Sequence, residues 1–516
     1  MTRAPWNWLR RRRGSWIMRS ALGVMALGLF GTPFALTWYP PGQLTHARGG
    51  SAAPGGGPSV AHIDPAQVRQ WRLAAANLPA NAPPVVLAYH DIRPGATDKY
   101  TVTPAALDAQ LTALEAAGYQ TITSAQYVAW VQGGPVPPRS VYITFDDGTD
   151  GLWAYGTAVL ARHHAHGASY LITGRVGTHP PYYLTWPEVI AMARSGNWDF
   201  QAHTHNLHSR APIDASGKTG SMLTNRLWLA AQHRLETPDE YQARVTADTN
   251  TIFADFAAHG LPKPQLFAYP FSELIDPSGD ATPTRFTQDL LAHQFVATFT
   301  NKTRTPAPSS RRSSDARLIG RLEVTSTSTA DSVLERVMSW TQQGVDGQRP
   351  LDDPTRWRDW DNNPLHTLAP FTGSGPAPDY SYAVYQPFAS ADWDDYQVAM
   401  DVRGLVTNRP GVNLQVRIGG STPLAIRFAR STVEVRGTGK GAPLITRANV
   451  RAAAGHRVTV AVTGTATVVT VDGQQVLRLP AQGPAVSGGI ALAVSQGDRS
   501  QDHPGVAAMS LAPIRA

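Results

Sequence analysis

The sequence predicts an α/β domain built on a mostly parallel sheet, followed by an all-β domain. Two observations carry this expectation. From about Pro83 to Gly344, short apolar runs rich in β-branched residues alternate with segments at helical spacing, the pattern of βαβ units, and the sheet is expected to close as a barrel. From Tyr380 onward the helical spacing disappears, and short alternating strands separated by glycine turns replace it, as in a β-sandwich. The chain has 516 residues, of which 42% are apolar, enough for two or three domains with substantial cores.

The N-terminus stands apart. Ser20 to Trp38 is uncharged and mostly apolar, with Arg3, Arg10, Arg11, Arg12, Arg13 and Arg19 in front of it. This length suffices for a helix to cross a bilayer core of ~30 Å. The positive-inside rule keeps the arginines in the cytoplasm and sends the rest outside. Residues 1–39 are therefore expected to be an arginine-rich stub and an uncleaved transmembrane anchor. A cleaved signal that leaves a secreted protein is the alternative. The same six arginines account for most of the net charge of +7. The remainder is close to neutral, so nucleic acid is not an expected partner. With no cysteine, disulfides and thiolate sites are excluded. Any metal must be held by His, Asp and Glu, which suits zinc or another divalent ion.

Residues 40–82, rich in Pro, Gly, Ala and Ser, read as a flexible linker. The α/β domain is placed at 83–345. Its first strand is the run from Pro84 to Tyr89, ending at His90-Asp91. Leu107, Leu111 and Leu114 then mark a helix from Pro104, with Gly118 as its stop. Val141-Tyr142-Ile143-Thr144-Phe145 is the second strand, ending in Asp146-Asp147-Gly148. Trp153 to His166 reads as helix, with His163, His164 and His166 as solvated last-turn residues. Further strands follow at Ala168–Thr173, Asp199–His203, Leu266–Phe271, Phe295–Phe299 and Leu318–Val324, with a long amphipathic helix from Pro238 to His259. Residues 346–379 lack periodicity and read as a linker. Residues 380–516 form the β-sandwich, with Asp472-Gly473 as a hairpin turn.

Two clusters carry chemistry. Asp-Gly after a strand is commonly just a turn, and a lone histidine is more often structural than a ligand. Yet Asp146-Asp147 lies at one strand end and His203-Thr204-His205-Asn206-Leu207-His208 at another, and parallel α/β folds place their sites at strand ends. His203 and His208 do not share a helix face, but a loop can return both to one point. Two imidazoles and one carboxylate make a three-ligand site with an open position, and a second carboxylate can then act as base on a water there.

Thr144-Phe145-Asp146-Asp147-Gly148 resembles the first motif of the polysaccharide deacetylases, carbohydrate esterase family 4, and His203 to His208 resembles the second. The five-residue histidine spacing, together with Tyr89-His90-Asp91, is similar to the poly-β-1,6-N-acetylglucosamine deacetylase subgroup. Ala268-Tyr269-Pro270-Phe271 and Arg321-Leu322-Glu323-Val324 resemble later segments. The resemblance covers about Pro83 to Ser339. It implies a deformed (β/α) barrel and a metal-dependent N-deacetylase of N-acetylglucosamine polysaccharides. It implies Asp146 as general base, Asp147, His203 and His208 as ligands of a divalent ion, zinc in the first place, and the Phe271 backbone N–H as an oxyanion donor. The late Leu-x-His motif that supplies the family's general acid has no match, since Leu365-His366 falls in the linker; His90 is the substitute candidate. Val469 to Val476 is similar to laminin-G or concanavalin-like jelly rolls, so a lectin-like role and a purely structural one both stand. Peptidoglycan or chitin-like glycans are alternative substrates. In a different class, the chain would be a non-catalytic glycan-binding envelope protein.

Overall fold

The computed structural model describes residues 60–516 apart from 96–97, 277–278, 302–308, 375–378, 409–410, 421, 440, 482–486, 496–502 and 515–516. The expected anchor at Ser20–Trp38 lies outside the described residues, among which no helix is long and apolar enough to cross a membrane.

Eight parallel strands form the first architecture: β1 (Val85–Tyr89), β2 (Ser140–Asp147), β3 (Gly167–Leu171), β4 (Trp198–Ala202), β5 (Leu266–Ala268), β6 (Ala297–Thr300), β7 (Leu318–Gly320) and β8 (Leu322–Glu323). Their order in the sheet is β7-β6-β5-β4-β3-β2-β1-β8, with the short strand Gln120–Thr121 pairing β2 to the side. The two ends of this path, β7 and β8, are separated in the chain by Arg321 alone. The sheet is thus a nearly closed barrel, and Arg321 stands where its ends meet. The sequence reads Leu318–Val324 as one strand. It is two, because the chain steps from β6 to β1 at Arg321, whose N–H donates to Thr300 O at 2.8 Å. Strand residues on one side, such as Leu87, Ile143 and Phe145, join the larger core, and those on the other, such as Val86, Tyr142 and Tyr170, form a second cluster. Alternation along buried strands produces this division.

Helix α1 (Pro65–Ala74) corrects the expectation of a flexible linker over 40–82. Asp64 caps it by accepting from Ala66 N, Pro65 occupies its first turn, and Trp71 is buried in the barrel domain's core. Trp71 Nε1 donates to Asp331 Oδ1 at 2.6 Å. The Pro/Ala-rich composition concealed a capped helix with one aromatic anchor.

The second architecture consists of a seven-stranded and a five-stranded antiparallel sheet that share one core. The described part of 346–379, expected to be a linker, belongs to it. Trp357–Arg358 pairs with Tyr380–Tyr385, and Trp357 is 1% exposed within the sandwich core beside Phe371 and Leu368. Periodicity is absent there because anchoring rests on isolated large side chains rather than on a face. The two architectures also interlock. Phe388 packs into the barrel domain's core, its ring 4.8 Å from Trp340, while Trp393 Nε1 donates to Gln343 O at 2.7 Å.

Candidate metal and hydrolytic site

The strand ends converge as the motif spacing requires. Asp146 and Asp147 close β2, but they do not diverge as neighbours on a regular strand would. Asp147 has φ +75° and Gly148 φ +72°, so the chain turns left-handed at the second carboxylate. An aspartate tolerates that region better than most residues. At Gly148 an added Cβ would meet the Leu171 side chain.

His203 follows β4 and is tied to the strands on both sides. Its N–H donates to Leu171 O at 3.0 Å, and its Nδ1 lies 2.7 Å from Ala268 O. A carbonyl only accepts, so Nδ1 carries the proton and Nε2 presents a lone pair. That Nε2 is 3.5 Å from Asp147 Oδ1, and His208 Nε2 is 3.4 Å from the same oxygen. Oδ1 is itself buried and has no hydrogen-bond partner. One ligand atom from each of Asp147, His203 and His208 lies within 4.8 Å of the others. A buried anionic oxygen facing two imidazole nitrogens, with no donor on it, fits a divalent cation.

The returning loop is held from below. Thr204 has φ +74°. Asp248, on helix α3 (Pro238–Ala258), accepts from His205 N at 2.9 Å and Asn206 N at 2.6 Å. This brace brings His208 back to the site. His205 points elsewhere: its Nδ1 lies 2.9 Å from both Thr173 Oγ1 and Asp255 Oδ2.

Asp146 is gripped by a residue to which the sequence reading gave no role. Arg321 donates through Nη1 to Oδ1 at 2.7 Å and through Nη2 to Oδ2 at 2.6 Å. The side chains are 1% and 4% exposed. Arg321 Nη1 also reaches Thr144 Oγ1, and its Nε reaches Asn301 Oδ1 at 2.9 Å. The signal was available: an arginine inside an otherwise apolar strand run needs a buried partner. Asp248 left no such signal, because its role depends on how a helix approaches a loop.

Electrostatics follows from these contacts. Burial raises the Asp146 carboxyl, but the charges of Arg321 and His203 outweigh it and hold the group below its usual range. Burial also works against ionisation of Asp147, yet His208, His203 and His90 keep it well below the carboxylate range. Burial pushes His208 down to about 4, leaving a neutral imidazole. His203 is pushed up, since the two carboxylates outweigh its burial.

His90 follows β1, with its ring 4.6 Å from Tyr100, and its Nδ1 is buried without a hydrogen-bond partner. Its charge bears on Asp146, Asp147 and Glu323. Phe271 adopts φ +56° in the turn after Tyr269, is 40% exposed, and sets its ring 4.8 Å from His208. Left-handed backbone at Asp147, Thr204 and Phe271 concentrates strain around one point, as functional sites commonly do. His163, expected to be solvated, instead lies between Asp108 Oδ1 at 2.7 Å and Glu115 Oε1 at 3.0 Å. Helix α2 (Pro104–Ala116) presents both acids to it.

Residues 133–282 match the polysaccharide deacetylase family. A poly-β-1,6-N-acetyl-D-glucosamine N-deacetylase of Escherichia coli strain K12 is 28% identical over 225 residues, covering 40% of this chain and 33% of that protein. The protein of that name from Staphylococcus epidermidis is 31% identical over 113 residues, covering 21% of this chain and 39% of its own. The chain thus spans little more than a third of these relatives' length. A solved de-N-acetylase from Aggregatibacter actinomycetemcomitans aligns over 49% of this chain and 98% of its own at 18% identity, with a TM-score of 0.42. The matched segment contains Asp146, Asp147, His203, His208 and Phe271, so the chain is similar, over its barrel strands, to the polysaccharide deacetylases and among them to poly-β-1,6-N-acetyl-D-glucosamine N-deacetylases, as the motifs implied.

Proposed function

We propose that this chain is a metal-dependent hydrolase that removes N-acetyl groups from an N-acetylglucosamine polysaccharide of the poly-β-1,6 type. We further propose that it works outside the cell membrane, anchored by Ser20–Trp38. The observation that carries the reading of the site is the donor-free buried Oδ1 of Asp147 facing Nε2 of His203 and His208.

In this reading Asp147, His203 and His208 hold the ion, zinc in the first place. A divalent ion there supplies Lewis acidity toward the acetyl carbonyl and toward water. The rest falls to the chain's own residues. Asp146, kept ionised and oriented by Arg321, accepts the proton of the attacking water. The Phe271 N–H, in its left-handed turn beside His208, donates to the oxygen that gains charge. His90 protonates the amine as the C–N bond breaks, and acetate and a free amino sugar leave.

Acetate release from a panel of acetylated β-1,6-glucosamine, chitin-like and peptidoglycan substrates, with and without chelator, tests this directly. Asp146→Asn should retain the metal and lose activity by ~10²–10⁴-fold, whereas Asp147→Asn should lose both. Wild-type release from Asp146→Asn, or full metal loading of Asp147→Asn, would overturn the assignment.

A further inference from the structure

The seven-stranded sheet of the β-sandwich carries a cavity of about 460 Å³ on its outer face. Strand alternation builds it. Along Gly411–Ile418, Val412, Leu414 and Val416 point into the core, so Asn413 and Gln415 point out. Across the ladder, Gln415 pairs with Ala491 on one side and Ala425 on the other, and Ala425 pairs with Arg436. Asn413 pairs with Ala493, which in turn pairs with Tyr382. Ala425 and the glycines Gly437, Gly439 and Gly441 leave room for a trough, lined also by Trp360, Tyr380, Asn413, Gln415 and Arg436. On one wall Trp360 stacks on Tyr382 at 4.0 Å and 20°. Trp360 is 60% exposed and Tyr380 48%, although both are large aromatic side chains that burial would favour.

We infer that this trough is a second glycan-binding site, which holds a neutral N-acetylated stretch of the polysaccharide while other residues of the same polymer are hydrolysed at the barrel. The choice of occupant rests on the deacetylase reading. Flat aromatic faces fit the apolar C–H face of a pyranose, and the Asn413 and Gln415 amides offer both donors and acceptors to hydroxyl and acetamido groups. The charge adds a direction. Among the described lining residues, Arg436 is the charged one. The neighbouring carboxylate, Glu434, is shared by Arg427, Arg447 and, at 4.0 Å, Arg436 itself, so one negative charge stands against three guanidinium groups and the surroundings stay positive. A guanidinium at the trough repels the ammonium that deacetylation creates. The site therefore selects the substrate polymer over the product.

Fluorescence anisotropy of the full chain with labelled β-1,6-linked N-acetylglucosamine oligomers tests this, with chelator present to stop turnover and the matching glucosamine oligomer as comparison. The acetylated oligomer should bind more tightly than the glucosamine one. Trp360→Ala and Gln415→Ala, checked for wild-type melting, should each weaken binding by about tenfold or more. Acetate release from a short soluble substrate should be unchanged in both. Wild-type binding by both variants, or equal binding of the two oligomers, overturns the inference and leaves the deacetylase reading intact. Trp360-dependent binding by a chain that releases no acetate from any substrate removes the deacetylase reading and keeps the site.

Discussion

Replacing Arg321 separates the support of Asp146 from its chemistry. In Arg321→Met the carboxylate loses both guanidinium bonds at 2.7 and 2.6 Å, and the side chains are 1% and 4% exposed, so water cannot replace them. Breaking a buried pair from one side costs about 3–5 kcal/mol. Asp146→Asn breaks it from the other side and leaves a buried guanidinium, with a similar expected cost. The double variant contains neither uncompensated charge. Its loss should therefore lie near that of one single variant, giving a coupling energy of about 3 kcal/mol, at the upper end for residues in contact. Urea unfolding followed by circular dichroism measures all three variants against wild type. Additivity within about 0.5 kcal/mol would refute the account of Arg321 as the partner that makes a buried Asp146 tolerable. Arg321→Lys keeps the charge without the two-pronged geometry. It should recover part of the stability but little of the acetate release.

Metal analysis of purified protein should show His203→Ala and His208→Ala depleted and His205→Ala loaded, because His205 faces Thr173 and Asp255; depletion confined to His205→Ala would reverse the assignment. For His163, burial lowers its pKa, but Glu115 and Asp108 outweigh this and the net shift is upward, with Arg162 opposing at 3.1 Å from Asp108. A raised folded value means that its contribution is complete below ~6.5 and is lost as pH rises through the folded value. The stability gap between wild type and His163→Gln should thus be wider at pH 5.5 than at pH 9, and a gap independent of pH would contradict this. An added Cβ at Gly151 would overlap Asp91 Oδ1 and the Ile92 carbonyl; Gly151→Ala should cost about 1–3 kcal/mol by overpacking, read as a lower melting midpoint. A fragment beginning at 380 lacks Trp357, Leu368 and Phe371 from its core, so it should melt below one beginning at 344; equal midpoints would remove these residues from the sandwich's stability.

The strands were legible where apolar β-branched residues ran together, as in Val85–Tyr89 and Ser140–Asp147. The clustering of Asp147, His203 and His208 was legible because Asp146-Asp147 ends one apolar run and His203 follows another, with His208 five residues on in the loop. Local reading failed where meaning depended on a distant partner. Leu318–Val324 looks continuous until the barrel's ends are brought together at Arg321. His163 looks like a surface residue until helix α2 lies beside it. Trp357 and Trp71 sit in stretches whose composition suggests linkers, because a single buried indole can dock a segment without any periodic pattern.

The Phe388–Trp340 stack fixes more than a boundary. Parting the sandwich from the barrel would expose Phe388 and Trp340 to water and break the Trp393–Gln343 and Gln342–Phe388 hydrogen bonds. The joint is therefore an arm rather than a leash. If the trough and the metal site act as proposed, a polymer held at Trp360 would reach Asp146 and Asp147 across a set distance, not through a cloud of linker conformations. Effective concentration at the mouth is then governed by geometry: oligomers too short to bridge the arm gain nothing from the second grip, and affinity should rise in a step once the chain is long enough to span it.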